Sequence, residues 1–207
     1  MYLQDLNQFL TVAFAHLFAV ISPGPDFILI TRQSFLYGRK LSIYTALGIA
    51  TGILIHIFYC IVGLSFLLNN DNILFYLRLF SSAYLVYLGI LSIFSKSLMS
   101  IDKIDKKVEI SKISPLVAYR DGFITNVLNV KATFFFMSLY LYIDTDIFTV
   151  RLLYGLWMCL ITGLWFILLS VMLTSSIIKE NTYNYQFYIN KLMGIVLLYI
   201  AIKIYFN

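Results

Sequence analysis

Residues 21–28 read ISPGPDFI, two prolines around a glycine and then an aspartate, inside sequence as apolar as a membrane span. Pro23 and Pro25 lack an amide hydrogen and clash with the preceding turn, and Gly24 loosens the backbone between them, so an unbroken helix is not expected. In a bilayer, the carbonyl groups freed by such a break must bind water, another helix, an ion or a substrate. The three residues therefore predict a helix break that lines a cavity.

The composition is that of a membrane protein. Of 207 residues, 61% are hydrophobic and 12% charged, and the mean hydropathy is +0.87, well beyond a soluble domain. The net charge is +5, and in so apolar a chain we expect basic residues to set topology and contact lipid headgroups rather than nucleic acid. The first fifteen residues contain no Lys or Arg, so a cleaved signal peptide is not expected.

Six segments reach the roughly 20 apolar residues that a membrane-spanning helix needs. They are residues 6–30, 42–68, 72–94, 122–143, 151–177 and 186–206. Lys and Arg are concentrated in alternate connections between them, and the positive-inside rule places these connections in the cytoplasm and both termini outside. The predicted fold is an all-α polytopic membrane protein with six transmembrane helices and a broken first helix.

A long polar connection, residues 95–118, divides the chain into repeat halves of three spans, 1–94 and 119–207, within a single transporter domain, 1–207. We expect this connection to be a cytoplasmic loop. Because three is odd, the second half enters the membrane from the opposite side, which predicts a 3+3 inverted repeat.

The two halves share a weak internal similarity. VISPGPDFILI, residues 20–30, aligns with VLNVKATFFFM, residues 127–137, and each is a polar interruption followed by aromatic and aliphatic residues. Inverted-repeat transporters build their midplane binding site from such interrupted helices.

Charged and amide side chains accompany both interruptions. Asp26 either caps the resumed helix or binds a cation, since a carboxylate inside a membrane segment normally has a partner or a transport role. Asn126, Asn129 and Lys131 form a polar strip in the second half; the alternative is a snorkelling lysine and two asparagines that bridge helices. One carboxylate and one ammonium match the two ends of a zwitterion such as a free α-amino acid.

The two histidines are candidates for proton coupling. His56 can titrate near neutral pH, so the coupling proton could enter at Asp26 or at His56; the alternative for His56 is a permanently neutral, hydrogen-bonded ring. His16, two turns before the break, is a weaker candidate of the same kind.

At these residues the chain resembles the LysE/RhtB family of bacterial amino-acid exporters, which includes the lysine exporter and the homoserine and threonine exporters. The similar segments are SPGPDF (22–27), RQSFLYGRKLSIYTALGIATG (32–52), AYLVYLGI (83–90) and DGFITNVLNVKATFFF (121–136). The resemblance implies a six-helix secondary transporter that exports amino acids or close derivatives across the bacterial inner membrane, driven by the proton gradient.

The resemblance also implies which residues matter. It carries over Pro23, Gly24, Pro25 and Asp26 in the first half and Asn129, Lys131 and Ala132 in the second. Val130 stands where the family has a proline, so the second helix break is less strongly encoded here.

The expected mechanism is alternating access with a small zwitterionic amino acid or derivative. Its ammonium would meet Asp26 and exposed carbonyls, and its carboxylate would meet Lys131, Asn126 and Asn129. Protons and the lipid bilayer are the other expected partners. No nucleic acid, cofactor or metal is expected, and a homodimer is an open option.

Other classes of function fit the sequence less well. Cys60 and Cys159 occupy corresponding places in the halves and could form a transmembrane thiol electron carrier, but their apolar surroundings indicate packing residues. Two histidines and two cysteines supply too few ligands for a metal exporter. The sequence lacks the Gly-x-Ser-x-Gly motif of a serine hydrolase, so an intramembrane hydrolase is not indicated. A non-transporting membrane subunit would leave the interruption in the first span unexplained.

Overall fold

The computed structural model describes residues 2–67, 71–94, 113–143, 145, 147–175 and 182–206. The regular structure of these residues is entirely helical, which confirms the all-α prediction. The helices are α1 (Tyr2–Ile21), α2 (Pro25–Leu67), α3 (Asp71–Phe94), α4 (Pro115–Val127), α5 (Val130–Tyr142), α6 (Phe148–Thr174) and α7 (Thr182–Phe206). Residues 95–112 of the predicted cytoplasmic loop lie outside the described residues.

Three of the described helices are long and apolar enough to cross a bilayer. They contain the segments Pro25–Gly63, Asn72–Phe94 and Phe148–Thr174. The bent pair α4 and α5 makes a fourth if it is counted as one span. The apolar segments Leu6–Ile21 and Gly194–Phe206 are shorter than the roughly 20 residues of a complete span. By length and composition the described residues thus give a multi-pass protein with three or four candidate spans, and the six spans stay a prediction.

One face of α6 shows how such a helix meets lipid. Its exposed leucines recur every three or four residues, at the spacing of one helical face. They are Leu153, Leu156, Leu160, Leu164 and Leu168, each exposed over 46–61% of its surface. An exposed apolar stripe of this length would be unfavourable in water and is suited to a bilayer.

In the predicted connection between the first two spans, residues 31–41, the backbone is helical on both sides of a kink at Gly38. The segment contains no proline, but its glycine, Gly38, has non-helical backbone angles, so α2 consists of two helical stretches that meet at a kink. Gly38 has φ 79° and ψ −179°, a conformation that glycine adopts without the steric cost of a side chain.

The described structure also shortens the predicted loop at its far end. Ser114 caps α4, its hydroxyl accepting from Val117 N at 3.3 Å, and Pro115 occupies the first helical position. Both residue types favour a helix start, so residues 115–118 belong to α4.

The helices pack in three main pairs, α2 with α4, α2 with α6, and α3 with α7. The larger buried cluster draws residues from every described helix except α4, with Ile53, Phe135 and Met158 among its members. A smaller cluster joins Phe27 at the start of α2 to Phe166 of α6. The start of α2 is therefore anchored against α6, beside the first interruption.

Backbone contact between α2 and α4 brings the two halves together at the second interruption. A Cβ on Gly122 would lie 2.1 Å from the carbonyl oxygen of Thr45, and Gly48 is equally crowded from the other side. Glycines permit this close approach of helices in a membrane. One turn beyond Gly122, Asn126 lies against Gly52, where a Cβ would be 2.8 Å from Asn126 Oδ1.

Candidate functional site

The first interruption separates α1 from α2 at residues 22–24. The N–H of Ser22 closes the last turn of α1 on the carbonyl of Phe18 at 3.1 Å. The next carbonyl along, that of Ala19, has no helical donor because residue 23 is a proline. The helix therefore ends where the two prolines predict, and the carbonyl of Ala19 is left without a helical hydrogen bond.

The second interruption separates α4 from α5 at Leu128 and Asn129, with a bend of 58°. Asn129 is the N-cap of α5, and its Oδ1 accepts from Lys131 N at 3.0 Å and from Ala132 N at 3.4 Å. An asparagine cap of this kind satisfies amide groups that the first turn of a helix leaves unpaired. The second break thus forms although Val130 replaces the proline of the family pattern.

Asp26 connects the two interruptions. Its Oδ2 accepts from Asn126 Nδ2 and from Asn129 Nδ2, each at 3.0 Å. Its Oδ1 is buried and has no hydrogen-bond partner among the described residues. Asp26 also lies in the first turn of α2, where the positive end of the helix dipole favours a negative group. The amides expected to hold a substrate carboxylate therefore hold the carboxylate of Asp26.

Lys131 reaches from α5 to the first interruption. Its Nζ donates to Ser22 Oγ at 2.7 Å and to the carbonyl oxygens of Ala19 and Pro23, each at 3.4 Å. The lysine therefore points between the helices and not toward a membrane surface. The exposed carbonyls, expected to receive a substrate ammonium, receive this side chain. The carboxylate oxygens of Asp26 lie more than 4.0 Å from the Nζ of Lys131, so the two side chains do not form an ion pair.

A cavity lies between these groups. Its volume is about 50 Å³, enough for a few water molecules. Its polar lining is His16, Ser22, Asp26, Asn126, Asn129, Lys131 and Thr162, and its aromatic lining is Phe27, Phe135, Phe136 and Phe166. All four polar residues predicted to bind substrate thus meet at one cavity.

His16 lines this cavity and is completely buried. Its Nε2 shares a hydrogen bond of 3.1 Å with the hydroxyl of Thr162, while its Nδ1 is buried with no partner among the described residues. Sequence reasoning missed Thr162, a single hydroxyl in the apolar run of α6, and Ser22. The position of Ser22 directly before the first proline could have indicated it.

His56 lies behind the second interruption and does not line the cavity. Its Nε2 is 3.0 Å from the carbonyl oxygen of Asn126, and its Nδ1 is hydrogen-bonded to the hydroxyl of Tyr59. A carbonyl only accepts, so Nε2 carries the hydrogen. The ring also stacks on Phe136, with centroids 5.6 Å apart. In this position the histidine supports the end of α4.

Both cysteines are free. Cys60 is buried in the larger core cluster, and Cys159 Sγ donates to the carbonyl of Ala50 at 3.1 Å. These surroundings are those of packing residues.

Comparison with known proteins identifies the family. The family described as LysE type translocator matches residues 17–207. A relative from Bacillus subtilis (strain 168), the "Uncharacterized membrane protein YrhP", is 29% identical over 192 residues, covering 89% of this chain and 91% of the relative. The "Threonine efflux protein" of Escherichia coli (strain K12) is 29% identical over 139 residues, covering 65% of this chain and 66% of the relative. No solved structure matches significantly. The chain, with its two interrupted helices and apolar outer faces, therefore belongs to the LysE type translocator family.

Proposed function

We propose that this protein is a secondary transporter that exports amino acids or close derivatives across the bacterial inner membrane. The observation that carries the proposal is the meeting of an unpartnered Asp26 Oδ1 and the Lys131 ammonium at one cavity, where both interruptions converge. A relative named for threonine efflux supports an amino acid as the cargo.

The polar atoms of the cavity suit the two ends of a zwitterion. Asp26 Oδ1 is buried without a partner among the described residues, and as an acceptor it would bind the substrate ammonium. The ammonium of Lys131 would bind the substrate carboxylate by giving up one of its two 3.4 Å bonds, to the carbonyl of Ala19 or of Pro23. Asn126 and Asn129 would orient the carboxylate of Asp26, because both side-chain amides donate to its Oδ2. The aromatic wall formed by Phe135 and Phe136 favours a substrate with a neutral side chain.

Transport requires the cavity to change size, because about 50 Å³ is too little for an amino acid. We propose six spans in a 3+3 inverted repeat, within a single domain 1–207 whose halves 1–94 and 119–207 move relative to each other around the site. Proton uptake at Asp26 would reset the carrier. His56 is a weaker candidate for this step because it does not line the cavity.

Export under a toxic load of an amino acid or dipeptide tests the two charged roles. Asp26→Asn and Lys131→Met should each slow export about 30-fold or more. Each substitution leaves one charged end of the bound substrate without its partner in the protein, which costs about 2 kcal/mol or more. The measurement is growth of cells under the load, together with the amino-acid content of the medium.

Matched controls separate this effect from a general effect of charge removal. Asp121→Asn alters a partly exposed carboxylate that pairs with Arg120 on α4, and Lys203→Met alters an exposed lysine on α7. Both should export normally. Native rates in Asp26→Asn and Lys131→Met would refute the residue roles, and unchanged medium composition in cells with the native protein would refute export itself.

A further inference from the structure

The first interruption surrounds the Lys131 ammonium with three neutral oxygen atoms. They are Ser22 Oγ at 2.7 Å and the carbonyl oxygens of Ala19 and Pro23, each at 3.4 Å. We call these three oxygens the break cradle. Carbonyl and hydroxyl oxygens at a break in a membrane helix are the groups that replace the hydration shell of a monovalent cation.

The cradle is a consequence of the local sequence. Pro23 has no N–H for the carbonyl of Ala19, and such a carbonyl is costly in a membrane unless it finds another donor. Ala19 is 8% exposed and Ser22 4%, so bulk solvent has little access to either residue. The cradle therefore needs a donor from within the protein, a cation or a water molecule of the cavity.

The cradle is also accessible from the cavity. Ser22, Gly24 and Lys131 all line the cavity. A methyl group placed on Gly24 would lie 3.5 Å from both Cδ and Nζ of Lys131, so the lysine stem runs along the surface of the break. Removing this stem would join the cradle to the cavity.

We propose that the break cradle is a binding site for a small monovalent cation, which the native chain fills with its own Lys131 ammonium. A free cation of this class, methylammonium or Na⁺, binds there once the lysine side chain is removed. In the native protein the tethered ammonium joins α5 to the junction between α1 and α2.

Thermal unfolding of purified Lys131→Ala protein in detergent tests the site directly. Methylammonium chloride or NaCl should raise its Tm by about 3–6 °C at ten times the dissociation constant. Choline chloride is the salt control, because choline is bulky and carries no N–H group. The native protein, whose cradle is filled, and Lys203→Ala, which removes an exposed lysine, should show no such difference between salts.

The outcomes separate the alternatives. A response to methylammonium alone assigns the cradle to ammonium ions, and a response to both salts assigns it to small cations in general. In Ser22→Ala/Lys131→Ala, loss of the hydroxyl should weaken either response. Equal shifts in choline chloride, or equal shifts in the native protein, would overturn the proposal.

A double-mutant cycle keeps the proposal testable if Lys131→Ala does not fold. Ser22→Ala should lower the Tm of the native protein but leave that of Lys131→Met unchanged, because the hydroxyl acts through the lysine ammonium. Equal losses in both backgrounds would show that the cradle does not hold the ammonium. Neither measurement depends on export. The cation site can therefore be refuted while the proposed transport function stands, and transport can be refuted while the cation site stands.

Discussion

Asn129 combines a structural contact with a contact at the site. Its Oδ1 caps α5 through the N–H groups of Lys131 and Ala132, and its Nδ2 donates to Asp26 Oδ2. The side chain has one acceptor and one donor group pointing in different directions, so asparagine can do both. A serine is able to cap but is too short to donate to Asp26 as well.

Substitution of Asn129 should separate the two contacts. Asn129→Ala should lower the free energy of unfolding by about 1–2 kcal/mol through loss of the cap and should also slow export. Asn129→Ser should keep near-native stability and still slow export. Denaturant unfolding and the growth assay measure the two effects; native export by Asn129→Ser would show that the Asp26 contact is dispensable.

The start of α5 shows how an element can keep its position without the residue that usually marks it. Val130 is the first helical residue, directly after the Asn129 cap, and it is 59% exposed. Asn129 has φ −75° and ψ 100°, an extended conformation that is compatible with a following proline. The geometry of the break is therefore already that of an Asn-Pro-Lys sequence.

Restoring the family proline should be tolerated. Val130→Pro should leave the protein as stable as the native or more stable by about 0.4–1 kcal/mol, because proline fits the first helical position and restricts the unfolded chain. The control is Thr133→Pro, which removes the 3.0 Å bond from Thr133 N to Asn129 O and should cost about 3 kcal/mol or more. Equal destabilisation by both prolines would contradict the assigned start of α5.

At the scale of the whole molecule, the proposed topology follows from the distribution of basic residues. Arg32, Arg39 and Lys40 lie between the first two predicted spans, and the connection at residues 95–118 is also rich in lysine. The positive-inside rule then places the start of α4 in the cytoplasm and the turn between α5 and α6 outside. Two exposed side chains, Leu116 at 75% and Ile147 at 61%, mark these two ends.

Labelling of single cysteines in intact cells tests this topology. In a Cys60→Ser/Cys159→Ser background, an impermeant maleimide should label Ile147→Cys but not Leu116→Cys in intact cells. After permeabilisation of the membrane it should label Leu116→Cys as well. The reverse labelling would invert the proposed orientation. The background protein should export normally; loss of export there would favour the thiol electron carrier.

Different parts of this structure follow from different ranges of interaction. Helical content and the first break depend on short-range chemistry, since proline lacks a donor wherever it occurs, and Pro23 and Pro25 identify that break in the sequence alone. The second break has no proline, and its sequence signal, Asn129, is a residue common in many settings. Between the first two predicted spans the non-helical backbone is confined to Gly38, whereas in the sequence this glycine between basic residues resembles a longer connection.

The sequence by itself determined that the chain is helical, that it belongs in a membrane and that Asp26 and Lys131 lie beside interruptions. Only the tertiary structure decided the partners: Asp26 is held by Asn126 and Asn129, and Lys131 by the oxygens of the first break. The physical reason is distance along the chain. These contacts join residues about one hundred positions apart, and they arise because glycines let α2 and α4 pack with their backbones in contact.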